Sequence, residues 1–145
     1  MWSAIHQIVQ AGFANEVDTM ILGDYIVGNS DRHERNYGVI INSETRKIER
    51  FAPIFDSGAC KLLENGENVF YHLGNRIDLM EDIDIDVLRK VENLDEQFVT
   101  SLIAQMNCWT EIDKSNAIDE VFRRVDFVKD LIRERNMDYE RSDRI

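Results

Sequence analysis

The sequence predicts a mainly α-helical domain with one small β-hairpin, and three observations predict it. Apolar residues recur at helical spacing through most of the chain, at both its beginning and its end. A single stretch, residues 37 to 55, reads instead as strand, turn and return strand. The length of 145 residues, of which 43% are hydrophobic, suits one compact core and makes a second full domain unexpected. We therefore read residues 1–145 as a single domain, with the charged end "MDYERSDRI" (about 137–145) as a frayed tail.

Taken in order, Trp2, Ile5, Ile8, Val9 and Phe13 mark a first amphipathic helix, and Val17, Met20, Ile21, Tyr25 and Ile26 a second. Gly28 and Asn29 are residue types that end a helix, since Gly reaches the left-handed conformation without steric cost, so the chain passes into a loop at Asp31. "YGVII" then reads as a strand, "NSETR" as a turn and "KIERFAPIF" as the return strand, with the single Pro marking its end. From residue 57 to about 80 Gly and Asn breakers predict a loop. Beyond it "DVLRKVEN" predicts a short helix, and "DEQFVTSLIAQMN" sets Phe98, Leu102 and Met106 four apart as the apolar face of another. "AIDEVFRRVDFVKDLIRERN" predicts a long helix with Ile118, Val121, Phe122, Val125, Val128 and Ile132 inward, capped by Asp113 or Ser115.

Composition excludes several classes of function. With 28 acidic and 17 basic residues, a formal charge of -11, the chain repels nucleic-acid phosphates, and direct DNA or RNA binding is not expected. No run approaches the ~18 apolar residues of a membrane span, and the amino terminus lacks a basic segment followed by a long apolar one. Cys60 and Cys108 are too few and too far apart for a disulfide framework or metal cluster. A cytoplasmic location, away from membranes, is the expectation.

One stretch concentrates chemistry. In "GNSDRHERNYGVI" Asp31 and Asn36 stand five residues apart between a helix and a strand, and Asp56 follows the return strand in "APIFDSGA". A hairpin that brings its two ends together suits phosphoryl transfer: an Asp to accept the proton of an attacking hydroxyl, and an Asn and a second Asp to hold metal. Magnesium is hard, takes oxygen ligands and completes its shell with water and phosphate, so two protein oxygens suffice. As alternatives, Asp31, Asn36 and Asp56 are also residue types that make turns.

"GNSDRHERN" resembles the Asn-x-Asp-x-His-x-x-Asn catalytic loop of the HipA-like serine/threonine kinases, toxin kinases of toxin–antitoxin pairs, and "APIFDSGA" resembles their metal-binding segment. The close match covers residues 28 to 58, about a fifth of the chain. The resemblance implies a protein-kinase-like carboxy-terminal lobe with Asp31 as catalytic base, Asn36 as a magnesium ligand and Asp56 as the principal magnesium ligand, using Mg2+ and ATP on a protein substrate. The tripeptide Asp56-Ser57-Gly58 stands where other protein kinases have Asp-Phe-Gly. The Asp-to-Asn spacing agrees with theirs, although the His has moved downstream of the Asp.

The residues before the loop depart from a complete kinase. They read as helices and contain neither a Lys nor a phosphate-cradling Gly run, so a separate amino-terminal lobe is the expected partner, with an antitoxin a further one. The isolated chain is expected to be inactive. Two other functions compete with this reading. One is a non-catalytic, kinase-derived interaction or regulatory module. The other is a phosphoinositide-type lipid kinase lobe, against which Asn29 and Ser30 separate Gly28 from Asp31 and no basic membrane-facing loop is evident. His33 is expected to be a buried packing residue that braces the loop, and Arg32 and Arg35 to form surface or bracing ion pairs. "EDIDID" (81–86) lacks the Gly and terminal Glu of a calcium loop and reads as a solvated face.

Overall fold

The computed structural model describes residues 2–29, 31–56, 62 and 82–142. The loop expected from residue 57 to about 80 lies outside the described residues, apart from position 62. Two helices open the chain, α1 (Trp2–Gln10) and α2 (Ala14–Val27), followed by the antiparallel strands β1 (Val39–Ile41) and β2 (Ile48–Phe51). A short helix α3 (Ile85–Leu88) runs into a 3-10 turn (Arg89–Asn93), and α4 (Glu96–Ala104) and α5 (Glu111–Ser142) complete the order. The described part of the chain is mainly helical with one two-stranded sheet, as the periodicity predicts.

The hairpin is shorter than its sequence suggests. Val39 pairs with Phe51 and Ile40 with Arg50, but the register shifts between Ile40 and Ile41, which shortens the regular ladder. Asn42 organises the turn: its side-chain oxygen accepts the backbone N–H groups of Glu44 and Thr45, at 2.9 and 2.8 Å. Past the ladder the Ala52 N–H still donates to the Gly38 carbonyl at 2.9 Å, and Pro53, with no N–H to give, ends the pairing.

Helix α2 is the centre of the packing because two of its sides are apolar. Val17 and Met20 meet Ile8 of α1 and Tyr37 in a small core. Leu22 and Tyr25 enter a larger one with Val87, Leu88, Val91 and the stripe Val121, Val125, Val128 and Ile132 of α5. Leu88 and Val128 have no exposed surface, and the Tyr25 ring lies 5.7 Å from that of Phe127. Burial holds the Tyr25 phenol above its ordinary pKa, against the opposing influence of Arg123 and Arg124.

Two expectations need correction. Helix α5 begins at Glu111 and is capped by Thr110, whose hydroxyl accepts the Asp113 N–H at 3.1 Å while the Asp113 carboxylate accepts the Thr110 N–H at 3.0 Å. Asp113 is thus the reciprocal partner of a capping box rather than the cap itself. On α4 the expected inward face is turned out: Phe98 and Leu102 are 58 and 46% exposed, as is Met106 (45%) just past the helix end, while Val99 and Ile103 face the core side. Spacing finds an apolar stripe but cannot say which of two adjacent stripes meets a neighbour.

Candidate functional site

The loop begins where α2 ends. Gly28 takes the left-handed conformation (φ 66°), and its N–H and that of Asn29 turn back onto the carbonyls of Tyr25 and Asp24 at 3.2 and 2.8 Å. A methyl group at Gly28 would overlap Nη1 of Arg124. That guanidinium, 1% exposed, donates from Nη1 to the Tyr25 carbonyl at 2.8 Å and from Nε to Glu120 at 2.7 Å. It places positive charge on the last carbonyls of α2, where the helix dipole favours it.

Inside this turn lies a buried polar network. The Asp24 carboxylate, 3% exposed, receives Arg32 in a fork: Nη2 donates to Oδ1 and Nε to Oδ2, both at 2.8 Å. Oδ1 also accepts Asn29 Nδ2 at 2.9 Å, and Asn29 Oδ1 accepts the backbone N–H of Asp31 at 3.2 Å. The remaining arm of Arg32 reaches both ends of the hairpin. Its Nη1 donates to the carbonyl of Asn36 at 2.5 Å and to that of Phe55 at 2.6 Å. One guanidinium thereby fixes the loop before β1 to the segment after β2.

The three predicted site residues are distributed around this hub. Asn36 is buried, 4% exposed, and its side-chain nitrogen donates to the Asp31 carbonyl at 3.0 Å, closing the loop on itself. Asp31 presents its carboxylate to solvent, 68% exposed. Asp56 follows the tethered Phe55, is exposed, and has a positive φ of 54°, which costs an L-residue about 1–2 kcal/mol. The architecture thus brings the backbone of the Asp31–Asn36 loop to the residue preceding Asp56. Among the described residues, the three side chains are not hydrogen-bonded to one another.

The brace is Arg32, not His33. The His33 side chain is 45% exposed, its Nε2 stands 3.9 Å from Asp31 Oδ2, and its Nδ1 accepts the Arg35 N–H at 3.2 Å. A planar guanidinium with several donors can join one carboxylate and two carbonyls at once, which an imidazole with two nitrogens cannot. Next to the loop, Tyr37 is buried, and burial followed by the Glu34 carboxylate holds its phenol above the ordinary value.

Asp24 and Arg124 escape a reading based on motifs, yet the sequence holds a signal for each. Asp24 stands four residues after Met20 and seven after Val17, on a buried stripe, and Arg124 lies between Val121 and Val128 on another. A charge at a core position demands a buried partner of opposite sign.

An open cleft of 450 Å3 lies nearby, walled by Glu16 and Thr19 on the first turns of α2, by Lys90, and by Phe51, Pro53 and Ile54. Lys90 donates to the Thr19 hydroxyl at 2.8 Å across it. Asp31, Asn36 and Asp56 do not line this cleft. Among the described residues no three His, Cys, Asp or Glu side chains gather as a metal-holding cluster. Asn36 and Asp56 supply hard oxygen donors of two kinds, an amide and a carboxylate, which is the donor chemistry that suits magnesium with phosphate and water completing the shell. Comparison with protein-family models, with curated proteins and with solved structures finds no match, so the residues and their geometry alone carry the functional reading.

Proposed function

We propose that this domain is the catalytic lobe of a HipA-like serine/threonine kinase, transferring the γ-phosphoryl group of ATP to a protein hydroxyl once an amino-terminal lobe completes the site. The observation that supports this most is the double contact of Arg32 Nη1, which joins the carbonyl of Asn36 to that of Phe55 and so sets the Asp31–Asn36 loop beside the approach to Asp56. Residues distant in sequence that are to serve one phosphate need such a tie.

In this reading Asp31, solvent-facing and held by its backbone contacts to Asn29 and Asn36, accepts the proton of the incoming Ser or Thr hydroxyl. Asn36 and Asp56 would hold Mg2+, which supplies charge neutralisation at the phosphates. The fixed Asn36 contributes position, because its burial and its bond to the loop leave the side chain little freedom. Arg32 acts as a positioning residue.

Phosphoryl transfer depends on holding the donor in line and balancing its charge, and a Lys and a Gly-rich loop from another lobe would provide much of that. The 145-residue chain alone should therefore transfer little phosphate. Addition of a β-rich kinase amino-terminal lobe as a separate polypeptide should give Ser/Thr phosphorylation from radiolabelled ATP. Asp31→Asn or Asp56→Asn should abolish it while circular dichroism stays unchanged. Transfer that survives both substitutions would end the proposal.

A further inference from the structure

The cleft beside α2 is walled by three separate elements. Glu16 and Thr19 stand three residues apart on α2 and so share one of its faces, Lys90 comes from the 3-10 turn, and Phe51, Pro53 and Ile54 from the end of β2 and the segment after it. Its volume of 450 Å3 falls within the range of about 300–1,000 Å3 that small-molecule sites occupy. Phe51 is half-buried against the smaller core and Ile54 is 47% exposed, so one wall is apolar.

The other walls carry both signs of charge. The Thr19 hydroxyl donates to the Asn15 carbonyl at 2.7 Å and accepts Lys90 Nζ at 2.8 Å, which holds the ammonium in place and leaves it two further N–H groups. Among the described residues neither the Lys90 ammonium nor the Glu16 carboxylate has an ion-pair partner, although both line the cleft. An anion alone would meet Glu16 and a chain already at -11. A cation alone would meet Lys90. A molecule of no net charge, with an ammonium and a carboxylate on one carbon beside an apolar group, finds a counterpart in every wall. An added peptide strand fits less well, because Pro53 has no N–H to offer in the segment that extends β2.

We propose that this cleft binds a free α-amino acid with an apolar side chain. Lys90 takes the carboxylate, Glu16 the ammonium, and Phe51, Pro53 and Ile54 the side chain. The site is separate from Asp31, Asn36 and Asp56 and does not depend on the kinase reading.

The test titrates the whole 145-residue chain with leucine and follows backbone amide shifts by NMR, which should saturate and be confined to the residues that line the cleft. N-acetyl-leucine, which lacks the ammonium, and leucinamide, which lacks the carboxylate, should each bind about tenfold more weakly, as should glycine for want of a side chain. Lys90→Met should weaken leucine about tenfold yet leave leucinamide unchanged, because that ligand has already lost the matching contact. Glu16→Gln should do the same for leucine and N-acetyl-leucine. No saturable binding of leucine up to about 20 mM would overturn the proposal. Equal binding of leucine and its two derivatives would also overturn it, since the cleft would then be indifferent to charge. An acetylated and amidated leucine peptide that binds more tightly than leucine would assign the cleft to a peptide instead.

Discussion

Replacing Arg32 by Ala should cost the fold roughly 3–5 kcal/mol, the range for removing one partner of a buried charge pair. The Asp24 carboxylate, at 3% exposure, would lose both arms of its fork, and the carbonyls of Asn36 and Phe55 would lose a common donor. At about 2–4 °C per kcal/mol for a chain of this size, the midpoint of thermal unfolding should fall by roughly 6–20 °C. Arg32→Lys keeps the charge but not the fork, and should lose roughly 1–3 kcal/mol. Urea denaturation followed by circular dichroism gives these values. Amide exchange locates the effect, with faster exchange expected at residues 33–36 and 54–56. A double-mutant cycle with Asp24→Ala makes the reasoning refutable: the two substitutions together should be less damaging than their sum by about 2 kcal/mol, because removing both leaves no charge stranded in the interior. Simple additivity, or an Arg32→Ala protein within about 1 kcal/mol of wild type, would mean that the network is not the brace we describe.

Gly28→Ala should destabilise by at least about 1–2 kcal/mol, since the residue needs a positive φ and the added methyl must displace the Arg124 guanidinium; a thermal melt measures it. Asp56→Gly should instead raise stability by roughly 0.5–1 kcal/mol, as relief of the left-handed strain outweighs the added chain entropy, and it should remove any magnesium affinity seen by calorimetry. Burial works to raise the Glu120 carboxyl, but hydrogen bonds from Arg123 and Arg124 outweigh it and hold the group below its ordinary value. A depressed folded pKa stabilises above the unfolded value and is lost as pH falls through the folded one. The urea midpoint of wild type should therefore drop more steeply from about pH 5 to about pH 3 than that of Glu120→Gln.

The elements with strong periodicity were legible in advance. Val121, Val125, Val128 and Ile132 mark the buried stripe of α5, and Gly28 marks the end of α2 by its own conformational freedom. The hairpin was legible in place but not in length, because the slip between Ile40 and Ile41 depends on how two strands pair and not on either strand alone. The outward turn of α4 was not legible, since Phe98 and Ile103 differ only in what lies opposite them. At the candidate site, Asp31, Asn36 and Asp56 stand out by residue type and spacing. The residues that hold them do not, because Asp24, Arg32 and Arg124 reveal themselves only when a charge is noticed on a buried stripe or in a crowded loop and its partner is sought elsewhere.

The contact of Arg124 with the end of α2 spans 99 positions, and it sets an order of events during synthesis. At a ribosomal rate of about 5–20 residues per second, roughly 5–20 s separate the appearance of Gly28 from that of Arg124. Through that interval the Tyr25 carbonyl has no guanidinium to receive, and the larger core lacks its α5 wall. The end of α2 therefore gains its Arg124 contact only after α5 has emerged, long after the Arg32 network of residues 24–55 is complete in sequence. A ribosome halted before residue 124 would release a polypeptide that has the loop and its Arg32 brace in sequence but lacks both the Arg124 contact and the α5 wall of the larger core.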